Sequence, residues 1–274
     1  MKRLIVVAIA GAISGSAVAQ RAGDNVATLG WLHVMPEGSG GEFTSHVGNV
    51  PINGPLRLPD TFTSPGTGLS INNADTVGVT LTHFFTDHIA VTSVIGIPPE
   101  FTLTGHGVIQ PFGPSAALGN VDLGKPSNQP AVKNARQWSP ALILQYYFNS
   151  ATARFRPFIG VGIAYSWFTN IQLNDNFVQD VNNNLGSVLA AGAGRPGPTS
   201  VEAKASSSFV PIYNIGASYA ITERWSLTAT LSYMPLKTYA STIIKAADGS
   251  TLATTRTKLS ADPLIAFVGI SYKF

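Results

Sequence analysis

The sequence contains no cysteine and few charged residues. The absence of cysteine excludes a disulfide scaffold, a thiolate metal site and cysteine catalysis. Charged residues make up 11% of the chain, against about 25% in typical soluble domains. Outside the N-terminal segment, no apolar run approaches the roughly 20 residues that a membrane helix needs. This combination fits a protein that faces lipid through alternate residues of β-strands.

The N-terminal segment has the three parts of a secretory signal peptide. A basic start at Lys2 and Arg3 precedes an apolar run over residues 4–13, and an A-x-A site follows at residues 17–19. We expect residues 1–19 to be a signal peptide cleaved before Gln20, and residues 20–274 to be one outer-membrane β-barrel. The alternative, an N-terminal membrane anchor, is disfavoured because the run is too short to span a bilayer.

The net charge gives no reason to expect nucleic acid as a partner. The chain has 17 basic and 14 acidic residues; Lys2 and Arg3 lie in the signal segment, which leaves 15 basic residues and a formal charge of +1. A balance this close to neutral provides no electrostatic footprint for a polyanion.

Strand-like alternation recurs along the rest of the chain. In the last such stretch, one face carries apolar residues from Leu264 to Phe274, while Gly269, Ser271 and Lys273 lie on the other. A period of two predicts a strand between two different environments. The predicted strands cover residues 24–35, 75–85, 89–97, 138–148, 155–168, 208–221, 225–236 and 264–274.

The connections between these strands alternate between long and short. Residues 36–74, 100–134, 169–207 and 237–258 are rich in Gly, Pro, Ser, Thr or Asn and are predicted to be loops. The pattern predicts an all-β protein: an eight-stranded antiparallel up-and-down transmembrane β-barrel with four long external loops and short periplasmic turns. A soluble lipocalin-like barrel or β-sandwich is the alternative. It is disfavoured because the more continuous apolar face has aromatic residues at its ends, which indicates that this face meets lipid.

The residues predicted to face the lumen divide into two groups. An eight-stranded barrel has room for side chains or for one small ligand. The group toward the external end is apolar and consists of Leu32, Val34, Val94, Ile143, Phe168, Ile212, Met234, Leu236, Ile265 and Phe267. The group toward the periplasm is polar and consists of Thr28, Thr80, Gln145, Arg156, Asn214, Thr228 and Lys273. Both groups could simply pack the bore, or the apolar half could bind small hydrophobic solutes.

Three prolines fall at the external ends of the third and fourth predicted strands. They are Pro98, Pro99 and Pro140. Proline cannot donate a ladder hydrogen bond, so two neighbouring strands weakened at the same level could leave a lateral opening into the membrane. Ordinary strand termination is the alternative interpretation.

The chain resembles the OmpW family of bacterial outer-membrane proteins. The resemblance depends chiefly on residues 140–148 (PALILQYYF) and 155–165 (FRPFIGVGIAY), and on the C-terminal segment from Asp262-Pro263 to Phe274. It implies an eight-stranded barrel with a hydrophobic channel that admits small hydrophobic molecules passively. It also implies that a proline of strand three borders a lateral opening, a place that Pro98 or Pro99 would occupy. The loops over 100–134 and 169–207 are longer than this resemblance leads us to expect.

Catalysis has little support in the sequence. The five histidines form no HExxH motif or other closely spaced ligand set, so we expect no metal, cofactor or catalytic residues. The expected partners are outer-membrane lipids and lipopolysaccharide, small hydrophobic solutes, and the barrel-assembly machinery, which would recognise the terminal Phe274. Two alternatives stay open. One is a structural or adhesive barrel that acts through its loops, and the other is an enzyme that modifies lipid A, which would need a histidine and a serine within hydrogen-bond reach.

Overall fold

Eight antiparallel strands close into a barrel in the computed structural model of the chain. The structure describes residues 20–48, 51, 53–57, 59–111 and 113–274, so the predicted signal peptide lies outside the described residues. The barrel strands are β1 (Asn25–Met35), β5 (Ala74–Phe84), β6 (Ile89–Gly96), β11 (Ala141–Tyr147), β12 (Phe155–Leu173), β14 (Ser208–Ala220), β15 (Trp225–Tyr233) and β18 (Leu264–Lys273).

Closure joins the first strand to the last. β1 pairs with β18 from Val26↔Lys273 to Met35↔Leu264, and on its other side it pairs with β5. Each remaining barrel strand pairs with its two neighbours along the chain, so the predicted up-and-down barrel is confirmed. Three predicted bounds were wrong by three residues or more: β11 begins at Ala141 rather than Trp138, β12 continues to Leu173, and β15 ends at Tyr233 rather than Leu236.

The outer surface of the barrel is apolar over most of its height. Leu29, Leu142 and Val161 are between 53% and 60% exposed although they are large and hydrophobic. Exposed apolar side chains in this number are stable only when lipid replaces water as their solvent. Aromatic side chains lie near both ends of this belt, including Trp225 and Tyr272 at the periplasmic end and Tyr233 at the external end. Within the described residues, no helix is long and apolar enough to cross a membrane.

The four long connections are not the irregular loops that the sequence predicted. They fold into what we call the external domain. Its strands are β2 (Phe43–Val47), β3 (Thr61–Ser64), β4 (Gly68–Ile71), β7 (Glu100–His106), β8 (Val108–Ile109), β9 (Val121–Asp122), β10 (Val132–Trp138), β13 (Ser200–Ala205), β16 (Lys237–Lys245) and β17 (Thr251–Ser260). Its helices are α1 (Asn53–Leu56), α2 (Asp175–Val181) and α3 (Ser187–Gly192), with 3₁₀ turns at Gly113–Leu118 and Pro126–Asn128 and a π-helical turn at Asn182–Gly186.

Strands of the external domain continue the sheet of the barrel. β10 pairs with the upper part of β12, and β7 and β4 continue that sheet. A second sheet has the order β13-β16-β17-β2-β3 and therefore joins segments of three different connections. Between these layers lies an apolar core that includes Phe101, Leu123, Phe177, Leu189 and Leu252.

Ion pairs and hydrogen bonds connect the segments of this domain. Lys125 Nζ lies 3.0 Å from Asp180 Oδ2, and Asn128 Nδ2 donates to the same oxygen at 2.9 Å. These two donors lower the pKa of Asp180 below the usual range of an aspartate. Arg136 and Glu100 form a further pair between β10 and β7, and the hydrogen bond from Arg136 lowers the pKa of Glu100.

Candidate functional site

A cavity of about 380 Å³ occupies the barrel above its periplasmic base. Within the described residues, no charged side chain lines it. The apolar residues predicted for the lumen line this cavity, except for two; those that do are Leu32, Val34, Val94, Ile143, Ile212, Met234, Ile265 and Phe267. The two exceptions, Phe168 and Leu236, line a second cavity of about 90 Å³ in the external domain.

The second cavity lies next to the first and shares three lining residues with it. Val34, Phe101 and Gln137 border both cavities. The second cavity is otherwise bounded mainly by the apolar core of the external domain, including Leu69, Leu103 and Phe177. The two cavities are therefore adjacent, with Val34, Phe101 and Gln137 between them.

Polar side chains form the floor of the barrel cavity. Thr92 donates to Gln145 Oε1 at 2.6 Å, and Gln145 Nε2 donates to Asn214 Oδ1 at 2.9 Å. Asn214 Nδ2 in turn donates to the hydroxyl of Ser232 at 2.9 Å. A chain of satisfied hydrogen bonds in a buried site is costly to open, because each released group would lose its partner without gaining water. The cavity extends past this network to the buried apolar cluster around Phe84 at the base of the barrel, which also lines it.

The other polar residues predicted for the lumen lie at two levels. Thr28, Thr80 and Thr228 line the cavity with Gln145 and Asn214. Arg156 and Lys273 do not line it. Lys273 lies at the periplasmic end, where its Nζ is 3.5 Å from Asp24 Oδ2.

Arg156 is fully buried in the base of the barrel. It donates to the carbonyl of Gln20 at 2.7 Å and to the carbonyl of Asp87. Its guanidinium carbon lies 5.1 Å from the ring centroid of Tyr147 and 5.6 Å from that of Phe84. This cluster fills the bore below the floor.

A row of glycines lies on the inward face beside Phe267, a residue that lines the cavity. Gly269, Gly30, Gly78 and Gly96 are directly paired across four neighbouring strands. A Cβ on Gly78 would lie 3.1 Å from the ring of Phe267 and 3.2 Å from Leu32. Sequence reasoning did not identify this row. The sequence does place each of these glycines at a position of the inward face. Only the strand register, however, shows that the four glycines are neighbours.

The cavity also reaches the outer surface of the barrel wall. Val77, Ile95 and Ile97 are 43%, 58% and 64% exposed on the lipid-facing side, and all three line it. Pro98, Pro99 and Pro140, the residues predicted for a lateral opening, line it at the same place. One continuous space therefore touches both the lumen and the lipid-facing surface.

A break in the strand ladder coincides with this place. β6 pairs with β11 up to Val94↔Ala141, and pairing resumes between β7 and β10 at Glu100↔Arg136. Within this interval the described residues form one backbone hydrogen bond between the two strands, from Gln137 N to the carbonyl of Pro99. Because Pro98, Pro99 and Pro140 lack an N–H group, they cannot complete the ladder.

Several residues at the break were missed by the sequence reasoning. Gln137 Nε2 donates to the hydroxyls of Ser139 and Ser166 at 2.9 and 3.1 Å. Trp138 and Trp167 stack with ring centroids 5.9 Å apart, and both line the cavity. We predicted residues 138–148 as one uninterrupted strand, which placed Trp138 in the ladder and hid its position beside an opening.

Three of the described histidines pair with polar side chains of neighbouring strands. Within the described residues, no three His, Asp or Glu side chains are grouped so that they could hold a metal ion. His33 Nδ1 lies 2.7 Å from Asp75 Oδ1, and His83 Nδ1 lies 2.9 Å from Asn25 Oδ1. His46 Nδ1 lies 2.8 Å from the hydroxyl of Thr61 in the external sheet. These are pairs of neighbouring strand residues that stabilise the strand pairing.

The closed barrel, its lipid-facing belt and its apolar cavity define an outer-membrane β-barrel protein. The model of the OmpW family matches residues 56–274, and the chain belongs to that family.

Similar proteins agree in fold and cellular location. The chain is 26% identical over 243 residues to outer membrane protein W of Escherichia coli K12, covering 88% of this chain and 87% of that protein. It is 25% identical over 213 residues to outer membrane protein AlkL of Ectopseudomonas oleovorans, covering 77% and 70%. The crystal structure of OprG from Pseudomonas aeruginosa superposes with a TM-score of 0.65 at 22% identity, covering 93% of this chain and 98% of that one.

Proposed function

We propose that this protein is a passive channel that admits small hydrophobic molecules to the outer membrane. A solute would enter through the apolar core of the external domain, occupy the barrel cavity and leave sideways into the bilayer between β6 and β11. The observation that carries this proposal is that one cavity is bounded both by the inward Phe267 and by the lipid-facing Ile95 and Ile97.

The chemistry of the cavity supports a hydrophobic solute. Its volume of about 380 Å³ lies within the range of roughly 300–1,000 Å³ typical of small-molecule sites. Its upper wall is formed by Leu32, Val94, Met234 and Phe267, and hydroxyl and amide groups are concentrated on its floor. Burial of apolar area favours binding by about 25 cal/mol per Å². An ion would gain no partner in such a site and would lose its hydration.

The base of the barrel supports a sideways exit rather than a straight one. A solute moving toward the periplasm would have to separate Gln145 from Asn214 and displace the buried cluster around Arg156. A solute moving toward the lipid meets a wall in which backbone hydrogen bonds are already missing. The apolar path is therefore the path of lower free energy for a hydrophobic molecule.

A pair of tryptophan substitutions tests the channel. Val94 faces the cavity and pairs with Thr80, whereas the neighbouring Val79 faces lipid at the same level. Val94→Trp should fill the cavity, and Val79→Trp should leave it open. The measurement is uptake of 1-N-phenylnaphthylamine, a dye that fluoresces in membranes, by cells deleted for this protein and carrying each variant.

Expression of the wild type and of Val79→Trp should accelerate dye uptake equally, and Val94→Trp should return it to the rate of deleted cells. Folding of each variant is checked by its heat-dependent shift in gel mobility. Equal uptake through folded Val94→Trp and wild type would contradict the channel and would leave the external domain as the functional part.

A further inference from the structure

One face of the external domain carries an unusual group of basic residues. The sheet β13-β16-β17-β2-β3 turns Ile244, Leu252 and Leu259 toward the apolar core. Its opposite face exposes Lys237 and Tyr239 of β16 together with Arg256 and Lys258 of β17. The register places Tyr239 opposite Lys258, and Lys237 opposite Ser260. We call these four residues the basic face.

The three cations of the basic face differ from most cations of the domain in having no carboxylate partner. Lys125, Lys133, Arg136, Arg195 and Lys245 each form an ion pair with an aspartate or glutamate. Among the described residues, no carboxylate lies within ion-pair distance of Lys237, Arg256 or Lys258. Three unneutralised cations within a few residues of one another create a local positive potential that favours an anionic partner.

The position of the basic face relative to the membrane narrows the identity of that partner. Lys237 follows the barrel strand that ends at Tyr233 by four residues, and Tyr233 is one of the exposed aromatics of the external end. Arg256 lies four residues from Ser260 along β17, about 14 Å at 3.4 Å per residue. The basic face therefore begins at the membrane boundary and extends over the layer that contains the head groups of the outer leaflet.

One side chain of the basic face is oriented before any ligand arrives. The guanidinium carbon of Arg256 lies 4.3 Å from the ring centroid of Tyr239. Stacking on an aromatic ring restricts the planar group while its N–H groups remain free to donate. A guanidinium held in this way is suited to bidentate binding of a phosphate.

We propose that the basic face binds the phosphate groups of lipopolysaccharide, the anionic lipid of the outer leaflet. Lys237 and Lys258 supply charge nearest the membrane, and Arg256 binds a phosphate higher in the sugar core. Such a contact would anchor a lipopolysaccharide molecule beside β15 and β18 and would orient the external domain against the membrane. This interaction is independent of the channel, because no residue of the basic face lines either cavity.

The test compares two triple variants that remove the same charge. Lys237→Gln/Arg256→Gln/Lys258→Gln neutralises the basic face, and Lys125→Gln/Lys133→Gln/Arg136→Gln neutralises three paired cations elsewhere in the domain. Binding of fluorescent rough lipopolysaccharide is measured with full-length protein in lipid nanodiscs. The same titration is repeated with dephosphorylated lipopolysaccharide and with a large excess of inorganic phosphate as competitor.

Loss of the basic face should weaken binding by about tenfold or more, whereas the control triple should change it by about twofold or less. Dephosphorylation should reduce wild-type binding to the level of the first variant. Equal binding by wild type and the first variant would overturn the proposal. So would wild-type binding that does not depend on the lipid phosphates. Full displacement by inorganic phosphate would indicate a site for the free anion and would also overturn it.

Discussion

At the scale of single residues, Arg156 is the position where the burial of a charged side chain has to be compensated. A charged side chain that is fully buried in the bore needs partners, because an unpaired buried charge is strongly destabilising. The carbonyls of Gln20 and Asp87 accept hydrogen bonds from its two terminal nitrogens, and the rings of Phe84 and Tyr147 lie beside its guanidinium group, while its Nε finds no partner among the described residues. Arg156 therefore joins three separated segments of the chain at the periplasmic base.

Replacement of this arginine should destabilise the barrel. Arg156→Met preserves most of the volume but removes both hydrogen bonds, so we expect a loss of about 2–3 kcal/mol in the free energy of unfolding. Urea titration of protein folded into lipid vesicles measures it. Arg224→Met is the matched control, because Arg224 is exposed and its hydrogen bond to the Tyr272 hydroxyl is long at 3.3 Å. A midpoint for Arg156→Met equal to that of the control would contradict the structural role.

Residue-level prediction from the sequence succeeded where alternation alone decides the outcome. The period of two separates Val94 from Val79 and Thr228 from Leu227, and the structure places each residue of these pairs on opposite sides of the wall. Alternation does not predict the height of a residue along the bore. Arg156 was grouped with Thr28 and Gln145, yet it does not line the cavity, because height depends on strand register and tilt rather than on parity.

At the scale of the elements, the wall between β6 and β11 is the feature on which the proposed lateral exit depends. The ladders below and above the break are nearly in register: Val94 to Glu100 spans six residues on one side, and Ala141 to Arg136 spans five on the other. The two strands therefore continue past the break with a one-residue irregularity. The prolines lie in the interval between two ladders that are nearly in register, where they supply no N–H group.

Restoring the missing donors should close the wall. Pro98→Ala/Pro99→Ala/Pro140→Ala returns three N–H groups to the facing strands. Uptake of the same membrane-sensitive dye should fall by roughly half or more, because the ladder can extend across the opening. Binding of the dye to purified protein should remain, since the lumen residues that line the cavity, such as Phe267, are unchanged. Pro211→Ala is the control, because Pro211 lies in β14 within a complete part of the wall, opposite Ile163. Undiminished uptake through the triple variant would exclude a lateral exit at this place.

Prediction of the elements was accurate for the barrel and wrong for the external domain. Barrel strands show two contrasting faces, so Leu142 and Ile143 are easily assigned. The strands β16 and β17 are rich in threonine, alanine and lysine, and their inner face is closed by residues from other connections such as Phe43 and Leu189. Composition predicted a loop there because the apolar partners that stabilise the sheet lie far away in sequence.

At the scale of the whole molecule, the barrel and the external domain share strands but have distinct cores. β12 runs unbroken for 19 residues from the periplasmic end into the external domain. The buried cluster around Phe177 and Leu189 belongs to the external domain, and a separate cluster around Ile212 and Met234 belongs to the barrel. The barrel has in addition a closed ring of hydrogen-bonded strands, in which each barrel strand pairs with a barrel strand on both sides.

A defect in the external core should therefore loosen the external domain and leave the barrel folded. Leu189→Ala removes a side chain that is 2% exposed in α3, at an expected cost of about 2–4 kcal/mol. Trypsin should then cleave after Lys204 much faster than in the wild type, because local opening exposes that segment. The heat-dependent gel shift of the barrel should remain.

Ser187→Ala on the exposed side of the same helix is the control and should cleave like the wild type. Loss of the gel shift in Leu189→Ala would show instead that the two parts fold as one unit. The external core would then be needed to keep the barrel, and with it the cavity, closed.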